Sequence, residues 1–363
     1  MRRGNCAVSN SGALSVYLGK RAAAVIGKQG WHPDLFRLLL GASGGPKWLI
    51  LGQLDRLLFG DFLTRGKREL SVLGSSIGAW RHACLAQAAP LAALDRFEQA
   101  YLQQSYSPRP TTTEISAASA RILEHLLGDG GAEDIVSHPR IRSHIVTARG
   151  RGPAGTTQPA LLATAMGAAA IGNSLHRRLL NLAFQRVVFH SGASPAPELG
   201  LTGFETAYTP LRRATVPLAL HASGSIPFVL KGERDIAGAP AGQYWDGGII
   251  DYHFDLRECR GDGLMLYPHF RADITPGWFD KFLPWRKAGI SRLDDLVLLC
   301  PSRAFVASLP LGKIPDRSDF KRLSQDARVA YWRECMARSR ALAEDFAALL
   351  ANRDPLAGAV LLS

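Results

Sequence analysis

Residues 69–80 read Glu-Leu-Ser-Val-Leu-Gly-Ser-Ser-Ile-Gly-Ala-Trp, and this stretch constrains the fold more than any other. Leu70 to Leu73 is a short, mostly apolar run of the length of a buried strand. It stops at Gly74, and an apolar pattern of helical spacing follows Gly78. Gly74-Ser75-Ser76-Ile77-Gly78 therefore fits G-x-S-x-G at a strand-to-helix turn. Such a turn is tight, and side chains at the two glycines would clash with the flanking strand and helix. The geometry lifts Ser76 Oγ above a sheet and points a helix N-terminus at any anion forming beside it. The plainer reading is an ordinary βα turn with an N-capping serine. A nucleophile reading needs a base and an oxyanion site elsewhere in the chain.

Leu35 to Leu40, interrupted by Arg37, is a strand candidate that runs into Gly41-Ala42-Ser43-Gly44-Gly45-Pro46-Lys47-Trp48. Ile50/Leu51, Leu54 and Leu57/Leu58 then recur at helical spacing, with Pro46 suited to the helix start and Gly60 to its end. Residues 69–88 repeat this plan, and consecutive βα units imply a parallel sheet covered by helices. Further helices are expected at 91–106, 114–127 and 158–186. Short strands are expected at Ser143–Ala148, Val187–Phe189, Tyr244–Trp245, Leu264–Tyr267 and Leu296–Leu299. A last helix is expected at 323–352, with Trp332, Cys335/Met336, Leu342, Phe346 and Leu349/Leu350 as its buried stripe. Residues 1–33 read as a loose arm or an edge strand.

The 363 residues are 47% apolar and 20% charged, a soluble globular composition with a sizeable core. With no internal repeat and no long linker, one domain over 1–363 is expected. Cys6, Cys84, Cys259, Cys300 and Cys335 are scattered without a C-x-x-C pair, which fits a reducing compartment rather than a disulfide framework or a zinc site. No secretory signal or spanning helix is read, so a cytoplasmic location is expected. The net charge of +12 points to anionic partners, but no finger or aromatic RNA-binding signature accompanies it, so no nucleic acid is expected.

Two motifs mislead. Gly41 to Trp48 ends near a P-loop, yet Pro46 and Trp48 stand where a glycine and a Ser/Thr are required. Gly150 to Gly155 matches G-x-G-x-x-G, but no acid occurs between Asp134 and Glu198 to hold a ribose, so a surface loop is expected.

The turn at 43–47 can form an anion nest from successive amides and a helix N-terminus, with Lys47 adding charge beside it. Asp246, in Tyr244-Trp245-Asp246-Gly247-Gly248, is the base candidate, although Asp-Gly is also a common hairpin signal. Glycine-rich turn, G-x-S-x-G and Asp-Gly-Gly occur in one order, and here the sequence resembles the patatin-like phospholipase family. Ala222-Ser223-Gly224-Ser225-Ile226-Pro227-Phe228 looks like the Ala/Ser-rich segment preceding that family's aspartate. The resemblance spans 35 to about 256.

It implies a three-layer α/β/α fold with a mainly parallel central sheet, and a Ser–Asp dyad without histidine or cofactor. Ser76 would attack an ester carbonyl and Asp246 would carry its proton. Amides of Gly44, Gly45 and Ile77 would hold the oxyanion, with Lys47, Gly74, Gly78, Gly247 and Gly248 supporting the site. The implied substrate is a lipid acyl ester, as for a phospholipase A or lysophospholipase. The chain departs from the family turn at Ser43 and at Trp48, which is expected to crowd the floor of the site. It reads Asp251-Tyr252-His253 where the family often has Asn and Pro.

The alternatives are a carboxylesterase for small soluble esters, transfer to an acceptor other than water, and a non-catalytic lipid-binding protein. A Ser–acid–His order using His253 or His269 is the mechanistic rival. From Ile135 to Pro197 the chain has seven arginines (Arg140, Arg142, Arg149, Arg151, Arg177, Arg178 and Arg186) and no acid, while Trp278 to Lys287 interleaves aromatics with cations. Both suit peripheral contact with an anionic membrane, against the plainer reading of a solvated basic face and a packed loop.

Overall fold

The computed structural model describes residues 12–192, 199–256, 261–286 and 293–362. Cys6, Cys259, Lys287 and residues 1–11 of the expected N-terminal arm lie outside the described residues. The chain is an α/β protein with a mostly parallel central sheet flanked by helices.

The strands are β1 (Leu14–Leu18), β2 (Phe36–Gly41), β3 (Leu70–Ser75), β4 (Ile141–Gly150), β5 (Phe184–His190) and β6 (Thr206–Pro210). They continue with β7 (Glu233–Arg234), β8 (Gln243–Asp246), β9 (Leu264–Pro268), β10 (Leu296–Pro301) and β11 (Val360–Leu361). The order across the sheet is β11-β1-β10-β9-β2-β3-β4-β5-β6. From β10 to β4 every neighbouring pair is parallel. These strands are buried on both faces, which is why they read as near-continuous apolar runs rather than alternating ones.

Helices α1 (Lys20–Gln29), α2 (Gly52–Leu57), α3 (Ile77–Leu85), α4 (Pro90–Gln103), α5 (Thr112–Leu127) and α6 (Gly131–Ser137) fall in the first half. They are followed by α7 (Pro159–Leu175), α8 (Val216–Ser223), α9 (Arg303–Ser308), α10 (Asp319–Arg322), α11 (Gln325–Arg338) and α12 (Arg340–Ala351). One apolar core runs from Leu14 in β1 to Leu349 in α12. A second, smaller cluster, including Leu162, Met166, Phe184 and Trp245, lies beneath α7.

Several sequence expectations need correction. Of the two readings for the N-terminal residues, a loose arm fails at Leu14–Leu18 and an edge strand nearly holds: β1 pairs antiparallel with β10, only the two-residue β11 lies outside it, and α1 follows. Gly60 does not end the helix after β2, because the chain continues through a π turn, Leu58–Phe62, to Arg65. The expected helix at 158–186 stops at Leu175, and β5 begins at Phe184. The expected helix at 323–352 is two, broken at Ser339, whose buried hydroxyl donates to the Met336 carbonyl at 2.7 Å. Gly150 to Gly155 is the expected surface turn, with Gly152 and Pro153 exposed, and its Ala154 carbonyl accepts the Trp245 indole N–H at 2.8 Å.

Strand order reverses at β2. From it the chain proceeds through β3 and β4 to one side, while β9 and β10 lie on the other. Crevices at the carboxyl ends of strands beside such a switch point are where open α/β sheets bind ligands. The turn after β2 and the elbow after β3 both open there.

Candidate active site

Three glycines bring α3 onto the sheet. Gly41 and Gly74 are register partners in β2 and β3. A Cβ on Gly78 would run into the Gly41 carbonyl, one on Gly41 would lie 2.8 Å from the Gly78 carbonyl oxygen, and one on Gly74 would lie 2.5 Å from the Ala79 amide. The helix therefore starts abruptly, and Ser76 at its N-cap is forced to φ 54°, ψ −130°. A non-glycine residue held there costs on the order of 1–3 kcal/mol and persists only where its surroundings over-determine it. Those surroundings are visible. The Ser76 amide donates to Ser223 Oγ at 2.8 Å, and Ser223 Oγ donates to the Val146 carbonyl at 2.6 Å.

The second residue arrives by strand register. β4 is longer than β3, pairing with it only up to Ser75↔Val146. Beyond that, Thr147, Ala148 and Arg149 pair antiparallel with Asp246, Trp245 and Tyr244 of β8. The same β4 residues pair with β5 on their other edge, so β8 continues the line of β3 from the opposite direction. The two strands meet end to end, β3 finishing at Ser75, just before Ser76, and β8 at Asp246. Ser76 Oγ donates to Asp246 Oδ2 at 2.8 Å.

The turn after β8 crosses β4 closely, and a Cβ on Gly247 would strike the Val146 carbonyl. A Cβ on Gly248 would sit 2.6 Å from Ser43 Oγ. The Gly248 amide donates to Asp246 Oδ1 at 2.7 Å, and the Asp246 amide donates to the Ser225 carbonyl at 2.7 Å. Ser43 ties the glycine-rich turn to the elbow, its Oγ donating to Ser75 Oγ at 3.0 Å and its amide to the Tyr252 carbonyl at 2.9 Å. The Asp246 carboxyl is buried, and burial raises its pKa above the ordinary 3.8. Arg317 opposes that shift most, followed by the hydrogen bonds from Gly248 and Ser76 and then by Lys281.

Gly45, Ser76 and Ile77 line one cleft of about 870 Å³. Gly45 takes a left-handed φ of 57°. Ile77 is the first residue of α3, so its amide has no carbonyl a turn back within the helix. Gly44 lies behind them, where a Cβ would sit 2.7 Å from the Phe270 ring. The cleft wall is apolar, with Trp80, Ile122, Ile226 and Leu230 among its lining, and Arg317, Lys321 and Arg328 at its basic side. Among the described residues no aspartate or glutamate lines it. A separate cavity of about 20 Å³ touches Asp246, bounded by Tyr252, Trp278, Lys281 and Arg317. That is roughly the room one water needs.

Two expected placements differ. Trp48 does not crowd the site: it is buried under the turn, stacked on Phe97 at 4.3 Å between ring centroids. Lys47 lies over the Phe270 ring, 5.0 Å from its centroid, and lines neither cavity. The cations near Asp246 are Arg317 and Lys281, neither expected at the site from the sequence, where Lys281 reads only as part of the aromatic–cation run. Much of Lys281 is exposed, but its ammonium rests 3.5 Å from the centroid of the Tyr252 ring. Desolvation there, with Arg317 and Lys47 nearby, lowers its pKa to about 7. Arg317 carried no readable signal, since it sits in a turn far from any motif.

The candidate histidines stand elsewhere. His253 Nδ1 accepts the Thr275 amide at 2.9 Å, and its ring stacks on Tyr252 at 4.4 Å. His269 Nδ1 accepts the Arg271 amide at 3.1 Å. Burial keeps both neutral, His253 well below its ordinary pKa and His269 at about 3. Most of the seven arginines are engaged rather than forming an open basic face. Arg142 pairs with Glu69, Arg151 with Glu205, Arg177 with Asp280 and Arg186 with Asp251. Arg140 and Arg149 donate to the Leu63 and Ala241 carbonyls. Among the described residues no group of three or more His, Cys, Asp or Glu is placed to hold a metal ion, and no helix is long and apolar enough to cross a membrane.

No protein-family model and no curated protein matches the chain. Among solved structures it is similar to a chain of the heterodimeric complex ExoU-SpcU from the type III secretion system of Pseudomonas aeruginosa, with 17% identity and a TM-score of 0.30. The likeness covers 86% of this chain and 52% of that one, so this chain spans about half its neighbour's length. Similarity of that order carries no weight for mechanism.

Proposed function

We propose that this chain is a patatin-like lipid acyl hydrolase working through Ser76 and Asp246. The observation that carries the reading is the 2.8 Å hydrogen bond from Ser76 Oγ to Asp246 Oδ2, made at a strained elbow that opens on an apolar cleft. A serine hydroxyl is a weak nucleophile until a base takes its proton. Asp246 accepts that hydrogen bond, and its raised pKa makes it a better proton acceptor than an ordinary carboxylate.

In the first half-reaction Ser76 Oγ bonds to the ester carbonyl carbon as its proton passes to Asp246 Oδ2. The carbonyl electron pair moves onto oxygen, facing the amides of Gly45 and Ile77. Removing one such donor typically costs about 10²–10³ in rate. The tetrahedral species then collapses, the alcohol leaves with the proton from Asp246, and the acyl group stays on Ser76. In the second half-reaction a water gives its proton to Asp246 and its oxygen to the acyl carbon. Ser76 departs with that proton, and the free acid is released. The small cavity beside Asp246 is a suitable seat for this water.

The volume and apolar lining of the cleft favour an acyl chain over a small soluble ester, and its basic side favours an acidic or phosphorylated alcohol. The experiment is reaction with a fluorophosphonate followed by peptide mapping, alongside an ester series of increasing chain length. The expected result is labelling at Ser76, absent in Ser76→Ala, with kcat/KM rising with chain length. Hydrolysis without labelling at Ser76 removes the dyad. A flat or falling series removes the lipid substrate and leaves a small-ester carboxylesterase.

A further inference from the structure

The outer side of α7 is unusual for a helix facing water. Pro159–Leu175 contains no charged residue. One side packs on the small core cluster through Leu162, Ala165, Met166 and Ala169. The other presents Ala160, Leu161, Thr164, Ala168, Ile171 and Leu175 to solvent. Ile171 is 67% exposed and Leu175 75%. By its length the helix lays an apolar strip of about 25 Å on the surface.

Two neighbouring segments extend this strip. The turn Arg177–Leu182 folds back on α7, with Leu179 close enough that a Cβ on Gly172 would meet it at 3.3 Å, and Leu182 is exposed. On the other flank Phe279–Phe282 contacts α7, and the Arg286 guanidinium donates to the Asn173 carbonyl at 2.8 Å. This leaves Phe282 77% and Trp285 71% exposed. Monomeric proteins seldom leave so many large apolar side chains together in water.

The charges around the strip are one-sided. Arg178 and Lys281 are exposed and Arg286 half-buried. The nearest acid in sequence, Asp280, is buried and held by Asn173 and Arg177. Behind the strip a cavity of about 420 Å³ is walled by Arg177, Arg178, Arg186, Arg286 and Trp285. Of its carboxylates, Asp280 and Asp251 pair with Arg177 and Arg186, and Asp255 is the third. Exposed apolar side chains with a tryptophan and cations at their rim are the composition found at a lipid headgroup boundary.

We propose that α7, the turn at 177–182 and the segment 278–286 form a docking surface for an anionic bilayer. The apolar strip enters the headgroup boundary while Arg178 and Arg286 meet lipid phosphates. This goes beyond the hydrolase reading and does not rest on it. Lys281 also borders the cavity at Asp246, so the docked face adjoins the cleft system that would receive the lipid.

The test is vesicle sedimentation of the full chain carrying Ser76→Ala, so that binding and hydrolysis are read separately. Vesicles of phosphatidylcholine alone are compared with vesicles containing about one-third phosphatidylglycerol. Binding to the anionic vesicles is expected to be at least about tenfold tighter, with Arg178→Gln lowering it about fivefold. Leu175→Asp with Phe282→Asp is expected to lower binding to both vesicle types more than about tenfold, with an unchanged circular dichroism melt. Equal pelleting with and without vesicles overturns the proposal, as does full binding by the folded double variant. A dimer in sedimentation velocity that the double variant dissociates also overturns it, assigning the face to a second copy of the chain.

Discussion

Replacing Asp246 by Asn separates the chemistry of the site from its architecture. The Asn oxygen can still accept the Gly248 amide, as Oδ1 does at 2.7 Å, so the turn at 246–248 keeps its shape. The other oxygen, 2.8 Å from Ser76 Oγ, becomes an NH₂ that donates and cannot take a proton. The oxyanion amides and the cleft are untouched. Loss of a general base alone is worth about 10³–10⁴ in kcat/KM, or roughly 4–5.5 kcal/mol of barrier, with KM little changed.

Stability should move the other way. Burial raises the Asp246 pKa above 3.8, so between that value and the raised one the native chain binds more protons than the unfolded chain. Stability therefore falls as pH rises across this interval and stays lower above it. Asn removes the buried charge, so its Tm should exceed that of the parent at pH 7, and the difference should close below about pH 3.8. Ester hydrolysis by stopped assay and thermal melts at pH 3.5 and 7, both on purified chains, measure the two effects. Activity within tenfold of the parent, or a lower Tm at pH 7, would refute the reasoning.

Four further outcomes follow from the same geometry. Because Asp246 must be ionised to act as the proposed base, kcat/KM should rise with pH through a midpoint above 3.8, and Arg317→Gln should move that limb to higher pH; a limb moved downward counts against the assignment. Gly78→Ala drives a methyl into the Gly41 carbonyl and should cost at least about 3 kcal/mol in urea, whereas Gly167→Ala, with open space around it inside α7, should gain about 0.5–1 kcal/mol. Asp55→Ala strands the Arg81 guanidinium, which is 2% exposed and bonded to it at 2.5 and 2.6 Å, and should cost about 3–5 kcal/mol by denaturant titration. Val229→Trp narrows the cleft and should lower kcat/KM for long-chain esters at least about tenfold while sparing acetate and butyrate esters.

The sequence made the strands of the parallel centre legible because burial on both faces leaves no alternation to misread. Leu264–Tyr267 and Leu296–Leu299 stood out as short apolar runs for that reason. The elbow was legible because the helix cannot approach β2 and β3 without Gly41, Gly74 and Gly78, and glycines at such spacing mark close contact. Asp246 was visible only as an acid before two glycines, and its nearness to Ser76 depends on a register that periodicity does not encode. Arg317 and Lys281 were hidden because they reach the site from turns whose placement is tertiary. The edges fared worst. β1 borders a two-residue strand and α1 packs through Ala22, Ala23 and Ile26 with no large periodic stripe, so neither left a strong pattern. The arginine-rich run looked like a basic face because its carboxylate partners, Glu69, Glu205, Asp251 and Asp280, come from distant segments. Trp48 looked like an obstruction because the helical start it belongs to turns it inward onto Phe97.

The end-to-end meeting of β3 and β8 also sets a timetable. Ser76 leaves the ribosome 170 residues ahead of the carboxylate it bonds to, the base of the proposed mechanism. At about 5–20 residues per second, that lag is roughly 8–35 s. Throughout it the nascent chain holds a hydroxyl without its proton acceptor, and β4, the rail on which both strand ends are aligned, waits with half an edge unpaired. Reactivity toward lipid would thus switch on only when late-made residues close the sheet, giving newly made chains an interval of enforced inertness.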